Sequence, residues 1–328
     1  MLRFLCHSIL HPLVRLRFYL YKFDILKSYR LPCQVISVGN ITTGGTGKSP
    51  LVISLCEYLL DKGFRPVILT RGYKSSLSKG QSILFKGGAM ELNHGPSLKG
   101  EPHADEARMQ AEKLLGRVDV VVGQNRVLAA QHYLKKHKMP THFILDDGFS
   151  HLRIKRDIDL LLFDHEDPLG RKSGFPLDIL REPFFAGKRA DAVLLTRKKE
   201  GKSSIEDKLS KWQIPYWPIP FENLSPHSFE GSQFDPKVSF GLVTAIAHPD
   251  RLRQQLPYRV KEVLIKKDHE TFSRKEIEKI CQLVDAIITT EKDYWRTPDI
   301  FSGLEKPYFV LPIKATLPEG LCAFLASR

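Results

Sequence analysis

Paired cysteines, long apolar runs and any excess of acid are all missing from this 328-residue chain, and each absence excludes a class of protein. The five cysteines, Cys6, Cys33, Cys56, Cys281 and Cys322, are odd in number, widely spaced and free of a C-x-x-C pair. Neither a disulfide framework nor a zinc knuckle is supported, and the usage fits a reducing compartment. No stretch approaches the roughly 20 apolar residues that a spanning helix needs. Internal repeats and low-complexity tracts are also lacking. Acidic residues are outnumbered 50 to 37 by lysine plus arginine, a formal charge of +13, which predicts attraction to polyanions, anionic bilayers or phosphorylated substrates. With 42% hydrophobic and 27% charged residues the composition is that of a globular protein. The length favours two domains, or one large α/β unit with an appendage.

Residues 1–30 are basic and apolar together: Arg3, Arg15, Arg17, Lys22, Lys27 and Arg30 stand against one acid, Asp24, among leucine, phenylalanine, isoleucine and tyrosine. The longest charge-free run, Phe4 to Val14, is 11 residues, too short to span, and no small-residue cleavage site follows. The pattern predicts a pair of helices with a break near Pro12. It fits either a membrane-surface segment or helices packed on the domain with their arginines in water.

Beyond Pro32, short apolar runs of strand type alternate with helical periodicity. CQVISV precedes a glycine-rich turn and the helical KSPLVISLCEYLLDKG, and PVILT (66–70), VDVVVG (118–123), HFILDD (142–147), IDLLLFD (158–164) and DAVLLTR (191–197) continue the strand series. Continuous apolar strands between helices predict a parallel sheet covered on both faces. Residues 74–104 lack a strong period and read as a flap or short hairpin. Over about 200–237 a charged helix gives way to a proline- and aromatic-rich stretch that reads as a linker, and a second α/β set follows with VSFGLV, VKEVLI, DAIITT and PYFVLP as strands and a helix around 273–284 that Ser273 could cap. The expected organisation is therefore a basic amphipathic segment at 1–30, a P-loop NTPase-like α/β domain at 31–222, and a smaller α/β domain at 223–328.

Gly44-Gly45-Thr46-Gly47-Lys48-Ser49 sits where a strand hands over to a helix. In that setting backbone N–H groups and a helix N-terminus cradle phosphates, lysine reaches the β- and γ-phosphates, and the hydroxyl meets magnesium. Thr42 occupies the position of the motif's first glycine. Asp146 and Asp147 close the strand HFIL as a Walker B pair would, supplying an acidic ligand for magnesium, although two acids before a glycine also initiate turns. The N-K-x-D guanine motif is absent, because Thr290-Glu291-Lys292-Asp293 sets its lysine beside its aspartate. ATP is thus favoured over GTP. Arg71 and Arg181 are further candidates, as charge stabilisers for phosphate oxygens or as structural ion pairs. Asp105 and Glu106 open a predicted helix, where acids also suit the dipole.

The ordered set VGNITTGGTGKSP (38–50), TRGY (70–73), DEA (105–107), DDGF with His151, RDIDLLLFD (156–164), LREP (180–183), DH (268–269) and TTEKD (289–293) resembles the tetraacyldisaccharide 4′-kinase family of lipid A biosynthesis. The resemblance implies transfer of the ATP γ-phosphoryl group to the 4′-hydroxyl of an acylated disaccharide 1-phosphate, with ATP and Mg2+ as cofactors. It also implies a peripheral position at the cytoplasmic face of the inner membrane, in contact with anionic lipids and with no nucleic acid. It maps activation of the acceptor hydroxyl onto Asp105 and His269, and the magnesium surroundings onto Ser49, Glu106, Asp146 and Asp147. Three positions depart from the family pattern: Ser49 for threonine, Ser150 for glutamine and Ala104 for glycine. The Ser150 change removes an amide that could touch metal or nucleotide. A P-loop ATPase acting on nucleic acid is the competing reading of the +13 charge.

Overall fold

The chain opens in helix α1 (Leu2–Lys22), which runs through Pro12 instead of breaking there. Where two helices were expected there is one. Proline removes a single ladder hydrogen bond, and the leucine- and arginine-rich turns around it hold the remainder. The computed structural model describes residues 2–42, 45–72, 75–96, 104–166, 180–198, 201, 204–267 and 270–328, with side chains from residue 12 onward except at 204.

Strands and helices then alternate as β1 (Gln34–Asn40), α2 (Lys48–Asp61), β2 (Pro66–Thr70), β3 (Ser82–Lys86), β4 (Ala89–His94), α3 (Asp105–Lys113), β5 (Asp119–Gly123), α4 (Arg126–Lys136), β6 (His142–Asp146), β7 (Ile158–Asp164), a 3-10 turn (Phe184–Arg189), β8 (Ala192–Thr196), α5 (Ser204–Trp212) and β9 (Tyr216–Ile219). They build one nine-stranded sheet in the order β4-β3-β5-β2-β6-β1-β7-β8-β9. It is parallel except where β3 runs antiparallel to both of its neighbours. Within the 74–104 stretch, residues 82–94 thus contribute a hairpin to the sheet edge.

Alternate side chains of each strand enter opposite cores. Ile36, Val38, Ile68, Val120, Ile144 and Leu160 pack against α2 and α3. Val35, Leu69, Val121 and Phe143 face Val127, Ala130 and Tyr133 of α4, while Leu161, Phe163 and Val193 meet Ile205 and Leu209 of α5. Burial on both faces explains why these strands read as unbroken apolar runs.

Later elements are β10 (Phe221–Asn223), β11 (Phe240–Thr244), α6 (Pro249–Gln255), β12 (Val260–Ile265), α7 (Arg274–Cys281), β13 (Ala286–Thr290), α8 (Glu291–Arg296), β14 (Tyr308–Leu311), β15 (Ile313–Ala315) and α9 (Glu319–Ala326). The chain divides into two compact units, residues 1–221 with 315–328, and residues 222–314. The second unit holds a four-stranded parallel sheet, β12-β11-β13-β14, also covered on both faces. Its helix α7 begins in a capping box between Ser273 and Glu276. The TTEKD segment has a structural task there. Fully buried Asp293 accepts hydrogen bonds from Thr244 Oγ1 at 2.8 Å and Thr290 Oγ1 at 2.7 Å, tying together the ends of β11 and β13.

The last fourteen residues return to the first unit. Ser54 Oγ on α2 donates to the Ala315 carbonyl at 2.6 Å, and Tyr58 donates to the Cys322 carbonyl at 3.1 Å. Leu321 and Leu325 of α9 enter the core beneath α2.

Candidate active site

β1 lies centrally in the sheet between β6 and β7, so the turn leaving it opens onto the carboxyl ends of three parallel strands. Crevices of this kind are where ligands bind in open α/β sheets. Gly47 takes a left-handed conformation (φ 83°) immediately before α2, and a Cβ there would lie 2.4 Å from the ring of Phe221. Glycine is required on both counts. Asn40, the last residue of β1, donates to Thr42 Oγ1 at 3.3 Å and Thr46 Oγ1 at 3.0 Å, and accepts from Lys48 Nζ at 3.1 Å. One buried amide therefore aligns the loop and its lysine.

The turn after β6 supplies the second wall. Asp147 is left-handed (φ 52°), Gly148 donates to the Val38 carbonyl at 3.0 Å, and a Cβ at Gly148 would meet Ser37 Oγ at 2.5 Å. The D-D-G-F turn is thereby pressed onto β1. Lys48 Nζ lies 3.5 Å from Asp147 Oδ1, and Arg181 Nη1 contacts both oxygens of the same carboxylate, at 2.9 and 2.7 Å. Buried Arg126 donates to the Asp147 carbonyl at 3.2 and 3.3 Å. Partial burial raises the pKa of Asp147, but the charges of Lys48, Arg181 and Arg126 outweigh it and hold the group below its ordinary value.

Asp146 behaves oppositely. It is 4% exposed, and burial, reinforced by the negative charge of Glu106, pushes its pKa up to about 6 despite a 2.9 Å hydrogen bond from Gln110 Nε2. Asp105 and Glu106 stand in the first turn of α3, with Gln110 one turn beyond. The other amide atom, Gln110 Oε1, is buried without a hydrogen-bond partner. His151 is driven down to about 3 by burial and by Arg126, Arg156, Arg153 and Arg17, so its ring is neutral near pH 7.

Lys48, Thr46, Gly45, Gly47 and Ser49 thus surround the strand-to-helix turn, with Asp146, Asp147 and Arg181 beside it. Arg71 follows β2 and is exposed, its charge acting on buried Arg126. Gly44 and His269, with Asp268, lie outside the described residues. Sequence reasoning assigned no role to Asn40, Gln110, Arg126 or Arg197. Asn40 stands within the VGN segment and Gln110 at helical spacing from Glu106, signals that were present. Arg197 carried none: at a left-handed φ of 56° after β8, it pairs with Asp164 and donates to the Gly45 carbonyl, bridging β7 to the phosphate loop.

Hard oxygen donors suit magnesium, and this site offers them: the Ser49 hydroxyl with the Asp146 and Glu106 carboxylates, where burial first and the like charge of Glu106 second raise the pKa of Asp146, and a divalent cation would favour its ionised form. Among the described residues no group of three or more His, Cys, Asp or Glu could hold a metal unaided. Magnesium keeps several waters and uses substrate phosphates, so a full protein cage is not required.

Comparison with known proteins places the chain in a family. The sequence model of the family described as tetraacyldisaccharide-1-P 4′-kinase (LpxK) matches residues 4–328. A tetraacyldisaccharide 4′-kinase of Desulfotalea psychrophila is 34% identical over 308 residues, covering 87% of this chain and 84% of the relative. One of Shewanella sediminis is 32% identical over 317 residues, covering 93% and 83%. The solved structure of an "apo" form of LpxK from Aquifex aeolicus in complex with ATP superposes with a TM-score of 0.74 at 28% identity, covering 100% of this chain and 99% of that one.

Proposed function

Because this chain belongs to the tetraacyldisaccharide-1-phosphate 4′-kinase family, we propose a division of labour among its residues for that reaction. The protein is a kinase of lipid A biosynthesis: it transfers the γ-phosphoryl group of ATP to the 4′-hydroxyl of a tetraacylated disaccharide 1-phosphate. The observation that carries the assignment is Lys48 Nζ held 3.1 Å from Asn40 and 3.5 Å from Asp147, which sets the phosphate-loop lysine against the acidic turn of the neighbouring strand.

The backbone N–H groups of Gly44, Gly45, Thr46 and Gly47 and the start of α2 cradle the phosphates. Lys48 and Arg181, oriented by Asp147, neutralise charge as the phosphoryl group moves between oxygens, and Arg71 adds a third cation at the rim. Asp147, with Arg181 on both oxygens and Lys48 beside it, serves here to hold cations. Ser49, Glu106 and Asp146 would hold Mg2+. When bound, the metal supplies charge neutralisation and orientation for the phosphate oxygens. A hydroxyl is a poor nucleophile near neutral pH, so Asp105 receives the acceptor's proton as the bond to phosphorus forms. His269 is assigned by the D-H pattern to orient or tune that carboxylate.

The acylated acceptor fixes the setting. Among the described residues no helix is long and apolar enough to cross a membrane. Contact is assigned to the 1–30 segment, lying at the cytoplasmic face of the inner membrane among anionic lipids. Nucleic acid has no part in this reading. Purified protein with Mg-ATP and acylated disaccharide 1-phosphate is expected to yield a product heavier by one phosphate, seen by mass spectrometry. ATP consumption stimulated by DNA or RNA and not by the disaccharide would overturn the assignment.

A further inference from the structure

Phosphoryl transfer as derived above uses Arg181 of the LREP segment and Asp147 of the DDGF turn, and leaves their neighbours Glu182 and Phe149 without a task. Both are buried, at 4% and 1% exposure. One residue joins them. Arg189, which closes the 3-10 turn, pairs with Glu182. It donates from Nη2 to the Phe149 carbonyl at 2.8 Å and lays its guanidinium 3.8 Å from the centre of the Phe149 ring.

Phe149 cannot retreat from this contact, because its backbone is pressed on β1: a Cβ at Gly39 would lie 2.6 Å from the nitrogen and Cβ of Phe149. The turn is thus held from behind by β1 and from in front by Arg189. On the outer side of Arg189, 5.7 Å from its guanidinium, lies the ring of Phe18 on α1. The adjacent Arg17 donates to the Ser150 carbonyl at 3.2 Å. Glu182 directly follows Arg181, and Phe149 is two residues beyond Asp147. Each half of the Arg181–Asp147 pair is therefore anchored through a near neighbour to the same guanidinium.

We propose that Arg189 is a positioning residue for phosphoryl transfer: it locks the loop carrying Arg181 to the turn carrying Asp147, and α1 braces the lock through Phe18 and Arg17. This rests on the kinase reading above. Arginine is suited to the role, because a planar fork can bond a carboxylate and a carbonyl while its face stacks on a ring. Lysine offers a point charge that cannot make all three contacts. The pair is also largely shielded from water, with side-chain exposures of 14% and 5%, so its geometry is not loosened by solvent competition. A corollary is that the basic amphipathic helix is part of the catalytic scaffold as well as a candidate membrane contact.

The test compares full-length parent, Arg189→Lys, Phe149→Leu and Phe18→Ala, with turnover expressed per ATP-binding site counted by equilibrium binding. Arg189→Lys is expected to lower kcat per site by about tenfold or more, as small misplacements of charge-stabilising groups do, with KM for ATP changing less than about twofold. Phe149→Leu removes the stacking face and is expected to act in the same direction. Phe18→Ala should give a smaller fall, roughly two- to threefold by the same reasoning. A merely structural role would reduce the number of binding sites and leave turnover per site unchanged. That outcome in both Arg189→Lys and Phe149→Leu overturns the proposal, and Phe149→Leu alone decides if Arg189→Lys does not fold. A parent protein that binds ATP yet phosphorylates no acylated disaccharide would sink the kinase reading instead.

Discussion

Asp146 and Asp147 are adjacent in sequence and opposite in electrostatics, and the difference comes from what each side chain faces. Asp147 looks toward Lys48 and Arg181; Asp146 looks into the protein, toward Gln110 and the charge of Glu106. An ordinary aspartate titrates near 3.8, and in the folded protein Asp146 titrates at about 6. Its contribution to stability is therefore fully present below the lower value and is lost as pH rises through the upper one. Asp146→Asn, which keeps the shape and a hydrogen-bonding oxygen, should raise metal-free stability by about 1–2 kcal/mol near pH 8 and by little near pH 4, while abolishing most phosphoryl transfer. Thermal melts at the two pH values check the first part, and a gain that persists unchanged in acid would contradict the linkage. Lys48→Ala should cost on the order of a hundredfold or more in kcat with the melting temperature retained. Near-parental turnover at saturating ATP would remove Lys48 from the mechanism. Arg197→Ala should raise KM for ATP several-fold by freeing the Gly45 carbonyl, with kcat less affected; a change confined to kcat would place Arg197 at the transferred group instead.

At the level of elements, much of the site was legible because it is local. A strand, a glycine-rich turn and a helix within about thirty residues announce a phosphate cradle by period and by glycine placement, and HFILDD announces its acidic partner. The structure adds the reason for Gly47: left-handed backbone and the Phe221 ring leave no room for a side chain. Gly47→Ala should abolish ATP binding, measured by calorimetry, while circular dichroism stays near that of the parent. Retained affinity would mean that Phe221 yields easily. Contacts between segments distant in sequence were not legible. Nothing in the spacing tells that Gln110 of α3 would reach Asp146, that Arg126 would end against the Asp147 carbonyl, or that Arg189 would stack on Phe149. Pairings of that kind depend on strand order, which local periodicity does not encode. The break expected in α1 at Pro12 is absent for a different reason: one proline costs a single ladder bond, which the helix-forming residues around it outweigh.

Taken as a whole, the molecule carries a surplus of positive charge, and among the described residues no helix is long and apolar enough to cross a membrane, so the bilayer contact proposed above is expected of a face. Leu13, Leu16, Phe23 and Ile25 are 54–69% exposed and interleaved with Arg15, Arg17, Lys22 and Lys27. The full chain should float with anionic vesicles, less so as salt shortens the screening length, and only weakly with neutral ones. Leu13→Asp with Leu16→Asp should reduce flotation sharply, and undiminished flotation would move the contact off α1. The division into two α/β sets was visible in the sequence as strand runs on either side of a proline-rich stretch. The return of the final segment was not, since α9 reads as an ordinary terminal helix. That return has a consequence for how the protein is made. The second unit is inserted within the first, and α2, the helix that begins at the phosphate loop, keeps part of its apolar face uncovered until Leu321 and Leu325 arrive. Ser54 must wait for Ala315, 261 residues downstream. On the ribosome the inserted unit has all its residues while the first is still missing a side of its core. A chain halted before α9 would carry every residue named in the chemistry and yet lack Leu321 and Leu325 in the core beneath the phosphate-loop helix.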